Sequence, residues 1–244
     1  RRYFERTVEA GLVTTIRIVL CRASGYLLYP PGLLNRFWLA LSPPPRFDEA
    51  ADRRPGRGRS RFLLLWLEDE SRSLQSENVV SRGVPGREAM DRADTLLRGD
   101  FSFLGWGRVA ASIPPPWHSD VYHGVEWPLH FHKRIDYVRR DSACDVKVPW
   151  ELSRMQFLPW LGQAWLNSGD PVYVARLWDF LRDWIIKNPP GYGVNWTCAM
   201  EVSIRAINIA AAANLVEVCL TPAEERWIRR ALAEHYRHIL FNLE

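Results

Sequence analysis

Only four cysteines occur in the 244 residues, Cys21, Cys144, Cys198 and Cys219, and none shows CxxC or Cys/His metal-ligand spacing. No metal site and no disulfide framework is expected. Cys198 and Cys219 lie in helix-like apolar patterns and read as reduced buried thiols. The sequence also lacks a G-x-S-x-G elbow, a Walker loop and a Rossmann glycine pattern. Its scattered Ser, His and Asp residues support no triad. Uninterrupted apolar runs are missing as well. The stretch from Val8 to Tyr29 is broken by Arg17 and Arg22, and charges near the middle of a bilayer are costly, so no membrane span is expected. The chain has no initiator Met and no signal peptide at residue 1, and it stops on Asn242-Leu243-Glu244 without a closing element. Both ends read as cuts, which makes a fragment the expectation and leaves the compartment open.

A strong charge of one sign is absent too. The net charge is +4, but residues 1–60 hold 11 Lys+Arg against 5 Asp+Glu, and the remainder is close to balanced. The excess sits in Arg53-Arg54-Pro55-Gly56-Arg57-Gly58-Arg59-Ser60-Arg61, where Pro, Gly and Ser mark a solvated linker. No aromatics interleave with these arginines and no nucleic-acid motif follows, so nucleic acid is not an expected partner.

What is present is apolar and aromatic. Forty-seven per cent hydrophobic content excludes global disorder, and twelve tryptophans exceed what a core of this size requires. They imply wide helices packed with large side chains, or a groove that stacks on sugar faces. Residues 1–60 read as a basic helical segment and a Pro/Arg-rich linker, and residues 61–244 as the main domain. Phe62 to Leu67 is a short apolar run of either type. A weak helical pattern covers 86–98, with Ala89, Met90, Ala93, Leu96 and Leu97 apolar. From Gly99 to Pro149 the chain is loop-rich and aromatic.

Four helices are predicted after Pro149. The first covers about 150–167, with Pro159 breaking or kinking it. The second opens at Asp170-Pro171, an N-cap followed by proline, and stops at Asn188-Pro189-Pro190. The third starts near Thr197, a plausible cap, with Met200, Ile204, Ile207, Ala211 and Leu215 at helical spacing. The fourth opens with the capping box Thr221-Pro222-Ala223-Glu224, and its inner face runs through Trp227, Ile228, Ala231, Leu232, His235 and Ile239. Short connections make these helices antiparallel hairpins. The expected fold is mainly α, an incomplete α/α toroid.

Candidate chemistry concentrates in three places. Asp145 to Arg154 is dense in charge beside tryptophan. Glu151 and Arg154 share a helix face and suit an ion pair. Lys147 and Arg154 suit a basic wall edged by Trp150, since arginine holds a carboxylate with two hydrogen bonds. Glu201 and Arg205 stand four apart, acid first, and read as an intrahelical pair. Asn195 has no helical partner; if Thr197 caps the helix, its carboxamide is left to point elsewhere. His130 and His132 would share a strand face but lack further ligands for a metal. Trp117-His118-Ser119-Asp120 with Tyr122-His123-Gly124 gathers polar groups in a loop without a mechanism the sequence specifies.

The series Trp117…Asp120…Gly124…Trp127-Pro128, Asp145-x-Lys147-x-x-Trp150-Glu151-x-x-Arg154 and Asn188-Pro189…Gly193-x-Asn195-Trp196…Met200-Glu201…Arg205 resembles the N-terminal domain of the heparinase II/III-like family, from about Phe101 to the chain end. The resemblance implies a polysaccharide lyase, in which an α/α toroid precedes a C-terminal antiparallel β-sandwich that would be absent from this chain. It implies β-elimination on acidic polysaccharides such as glycosaminoglycans or alginate. In such lyases the asparagine of the Gly-x-Asn-Trp turn, here Asn195, faces the uronate carboxylate. Lys147, Trp150, Arg154 and Trp196 would wall the groove, and Glu151, Glu201 and Arg205 would form structural ion pairs. The base, a Tyr or His, would come after residue 244, so these residues alone are expected to be inactive. No cofactor is expected in this chain, with room for a divalent metal in the C-terminal domain. A bacterial, periplasmic or secreted setting is implied by the family alone. Two rivals stand beside it: a non-catalytic acidic-glycan-binding or exopolysaccharide-assembly protein, and a toroid glycoside hydrolase using Glu151 and Glu201 as opposed carboxylates.

Overall fold

The computed structural model describes residues 86–103, 107–138 and 144–242. The expectations for residues 1–60 and for Phe62 to Leu67 lie outside them. Six helices dominate: α1 (Gly86–Leu97), α2 (Lys147–Ser153), α3 (Leu158–Ser168), α4 (Pro171–Lys187), α5 (Ala199–Leu215) and α6 (Pro222–Phe241). The protein is mainly α, as its periodicity predicts. Between α1 and α2 lie two short antiparallel hairpins, β1 (Asp100–Phe103) with β2 (Gly107–Ala110), and β3 (Ser119–Asp120) with β4 (Val125–Glu126). Single 3-10 turns occupy His132–Arg134, Val194–Trp196 and Glu217–Cys219.

Helix starts follow local chemistry. Asp170 caps α4 by accepting the Val172 N–H at 2.9 Å, and Pro171 takes the first turn. Thr221 and Glu224 form the reciprocal capping box of α6. Two expectations are corrected. Residues 150–167 form two helices, and the break precedes Pro159: Met155 adopts φ +56°, and Pro159 sits in the first turn of α3, where its missing N–H costs nothing. Thr197 caps no helix. Its hydroxyl donates to Val194 O at 2.7 Å, and α5 begins behind Cys198, whose side chain makes no cap bond.

The core runs along α1, α3 and α5, which pack side by side, with α4 laid on α3 and α6 on α5. Leu158, Leu161, Val174, Leu177, Leu181, Val202, Ile209, Ile228 and Leu232 are buried along this seam. Trp178 of α4 meets Trp227 of α6 edge-on, ring centres 6.5 Å apart. Gly162 lets α3 approach α5 closely, because a Cβ there would lie 2.8 Å from Leu215 Cβ. Tryptophan serves mostly as filling: Trp117, Trp127, Trp165, Trp178, Trp184, Trp196 and Trp227 are all buried, while Trp150 and Trp160 are half-buried.

Helix α5 reverses the predicted face. Met200 and Ile207 are exposed and Ile204, Ala211 and Leu215 half-buried, whereas Glu201, Val202, Arg205, Ala206, Ile209, Ala212 and Ala213 are buried. Apolar spacing alone selected the wrong side. The buried side is built from small alanines that allow close packing, plus two charged residues that carry their own partners.

Candidate functional site

The Asn195 turn connects α4 to α5. Asn188 ends α4, its side-chain N–H donating to Trp184 O at 3.0 Å. Gly191 and Gly193 then adopt φ +78° and +85°, which favour glycine. Gly193 is required on a second ground, since a Cβ would sit 2.6 Å from His118 Cε1. These constraints aim Asn195 inward, and the residue has no exposed surface. Its Nδ2 donates to Trp117 O at 2.7 Å and to Asn188 Oδ1 at 2.9 Å. Both amide hydrogens are therefore spent inside the protein, and the expectation of a freely pointing carboxamide is corrected. One atom of the network stays open: Asn195 Oδ1 is buried and has no hydrogen-bond partner among the described residues.

Arg205 lies beneath this turn, 1 % exposed. Its Nη2 donates to Asn195 O at 3.0 Å and its Nε to His235 Nε2 at 2.8 Å. The guanidinium stacks over Trp184 at 4.3 Å and Trp196 at 5.3 Å. Burial lowers its pKa to about 9, against the opposing pull of Glu201. The predicted Glu201–Arg205 ion pair does not form. Glu201 instead binds Arg154 of the α2 end through Nε at 2.6 Å and Nη2 at 2.7 Å. Arg154 also pairs with Glu151, as its spacing predicts. The Glu201 hydrogen bonds raise the Arg154 pKa. Glu151 and Glu201 converge on one guanidinium, so both carboxylates are engaged by Arg154.

Trp196 is 1 % exposed, packed against Trp184, His235 and His238 with ring centres 5.9, 4.9 and 5.0 Å apart. It is core rather than groove wall, because the 3-10 turn directs it inward beside Asn195. The predicted wall residues that do reach the surface are Lys147, exposed, and Trp150, half-buried. Trp150 anchors its ring by donating Nε1–H to Val194 O at 2.9 Å, with Tyr137 beside it at 5.5 Å. Arg154 is close by, but its charge is already matched.

Three histidines line the column behind Trp196. His132, His235 and His238 are buried, with pKa values lowered by burial to about 4, 3 and 2. His130 is exposed, so it shares no face with His132. Among the described residues no group of three His, Cys, Asp or Glu could hold a metal ion. Sequence reasoning missed His235, Asn188 and the Trp117 carbonyl. Asn188 and Trp117 carried a signal through their place in the quoted motif series, and His235 through its place on the inner face of the last helix.

This arrangement, a mainly helical domain in which a buried Asn-Trp turn is tied to a Trp117–Asp120 segment and braced by a stacked arginine, defines a sugar-polymer type of helical domain only when it is compared with known families. Residues 117–238 match the family described as Heparinase II/III N-terminus, which is half of the chain. The chain belongs to the heparinase II/III family, and that domain is one of a polysaccharide lyase family. No curated protein and no solved structure matches the chain. No helix among the described residues is long and apolar enough to cross a membrane.

Proposed function

We propose that these helices are a segment of an α/α toroid in a lyase that cleaves a uronate-containing polysaccharide by β-elimination, with Asn195 acting on the uronate carboxyl group. The observation that carries this reading is the open Oδ1 of Asn195, a buried acceptor left unfilled while both hydrogens of the same amide are bonded. A buried acceptor is costly to leave unmatched. Its match is a donor, and a protonated carboxyl is one. Held as COOH, the uronate no longer carries the charge that makes its α-carbon a poor acid, so the enolate-like transition state is tolerated. Binding then requires the Trp117–Asp120 segment to shift as the sugar enters. Lys147 and Trp150 would edge the approach, and the base would be supplied from outside residues 86–242.

The test is formation of ultraviolet-absorbing unsaturated product by the full-length protein on a panel of uronate polysaccharides. Asn195→Ala is expected to lower turnover by about 10²-fold or more. It also removes the donor facing Trp117 O and Asn188 Oδ1, at about 1–3 kcal/mol of stability. The assay therefore runs well below both melting midpoints. A variant that is folded and keeps near-wild-type rates sinks the assignment. The burial of Asn195, with both N–H groups spent internally, favours a second reading, a non-catalytic acidic-glycan-binding protein. Saturable binding with no unsaturated product from any polymer would select it.

A further inference from the structure

The hairpin β3–β4 carries an arrangement the Asn195 turn does not use. Asp120 has no exposed surface, and its carboxylate collects four donors. Oδ1 accepts the backbone N–H groups of Tyr122 at 2.9 Å and His123 at 3.2 Å. Oδ2 accepts Asp145 N–H at 2.8 Å and pairs with His123 Nδ1 at 2.7 Å. Burial raises the Asp120 pKa, but these bonds outweigh it and hold the group below its ordinary value, so it is a carboxylate. A carboxylate only accepts, so His123 must carry its proton on Nδ1. In the Nδ1–H tautomer Nε2 is a lone pair, on a side chain 35 % exposed. A buried acid that fixes one tautomer of a partly exposed ring is how a histidine is oriented for an external ligand. A metal is a poor candidate, because no further ligands assemble there among the described residues.

The same Asp120 oxygen also fixes the start of α2. Asp145, held by its N–H, accepts the Lys147 N–H on its own Oδ1 at 2.9 Å. One buried carboxylate thus positions the partly exposed His123 ring and the backbone of an exposed cation, Lys147. Sugar hydroxyls are donors and uronate carboxylates are anions.

We propose that His123 and Lys147 form a two-point contact for a uronate residue, Nε2 accepting a ring hydroxyl and the ammonium meeting the carboxylate, with Asp120 as positioning residue. The ligand class rests on the polysaccharide reading above, but the contact does not use Asn195 and is testable without turnover.

The experiment titrates the full chain with an oligogalacturonate, and with the same oligomer after its carboxylates are reduced to alcohols. Calorimetry gives affinity, and nitrogen-15 spectra follow the His123 ring. In the free protein the ring is expected as the single Nδ1–H tautomer, with Nε2 shifting on saturation. His123→Ala keeps three of the four Asp120 bonds, so it should fold. It is expected to weaken oligogalacturonate binding about tenfold, and Lys147→Met similarly with loss of the preference for the charged oligomer. Unchanged affinity in His123→Ala, an unmoved ring at saturation, or no binding of either oligomer overturns the site. If the full-length protein forms no unsaturated product while the ring still responds, the lyase reading falls and the contact stands. If product forms and both variants bind like wild type, the reverse holds.

Discussion

Buried charged and titratable residues survive here by more than one device. Arg205 keeps its charge by lying over two indoles and donating to neutral acceptors. His132, His235 and His238 do the opposite and stay neutral, with pKa values of about 4, 3 and 2. In the unfolded chain each would titrate at about 6.5. Above that pH neither state binds the proton and no stability is lost. As pH falls below it the unfolded chain takes up protons that the folded protein refuses, so stability falls. At pH 5 the loss is about 2 kcal/mol for each histidine, from about 1.4 kcal/mol per unit of separation. Chemical denaturation between pH 7 and 5 should show unfolding coupled to uptake of up to three protons. His132→Phe should reduce that number by about one, and an unchanged slope would place His132 in contact with solvent.

Helix α5 shows where pattern reading fails and why. Its apolar stripe invites burial, but the buried side of the helix also takes alanines and two charged residues. Glu201 and Arg205 enter it with partners from the end of α2 and from α6. A period-3.6 count cannot see partners 47 or 30 residues away. Ile207→Lys is therefore expected to change stability by less than about 0.5 kcal/mol. Ile209→Ala should cost about 2–4 kcal/mol through a core cavity. Equal effects in urea unfolding would mean that the two faces are misassigned. The α3 contact gives a second check. Gly162→Ala gains about 1 kcal/mol of helix propensity. It also drives a Cβ into Leu215 Cβ, an overpacking cost of about 1–3 kcal/mol. The melting midpoint should fall, and a rise would show that α3 and α5 separate easily. Elsewhere local chemistry was legible: Asp170-Pro171 and the Thr221–Glu224 box start α4 and α6 as the sequence predicts, because both caps act within four residues.

At the scale of the molecule, the family and the mainly helical class were readable, since ordered motifs and helical periods are properties of the chain alone. The site was readable only in part. Lys147 and Trp150 are at or near the surface, but Trp196 is core and Arg154 is matched by acids, and both facts depend on what folds over them. Those covering contacts join distant parts of the chain. Asn195 reaches Trp117 across 78 residues, Trp117 reaches Asp183 across 66, and Tyr173 reaches Asp94 across 79. Helical proteins fold quickly when their contacts are local, and closing long loops slows them. The carboxamide described above as a site for sugar is thus also a late clasp in assembly. Until the Trp117 carbonyl arrives to accept its N–H, the turn after α4 is held only by Asn188, Trp150 and Arg205.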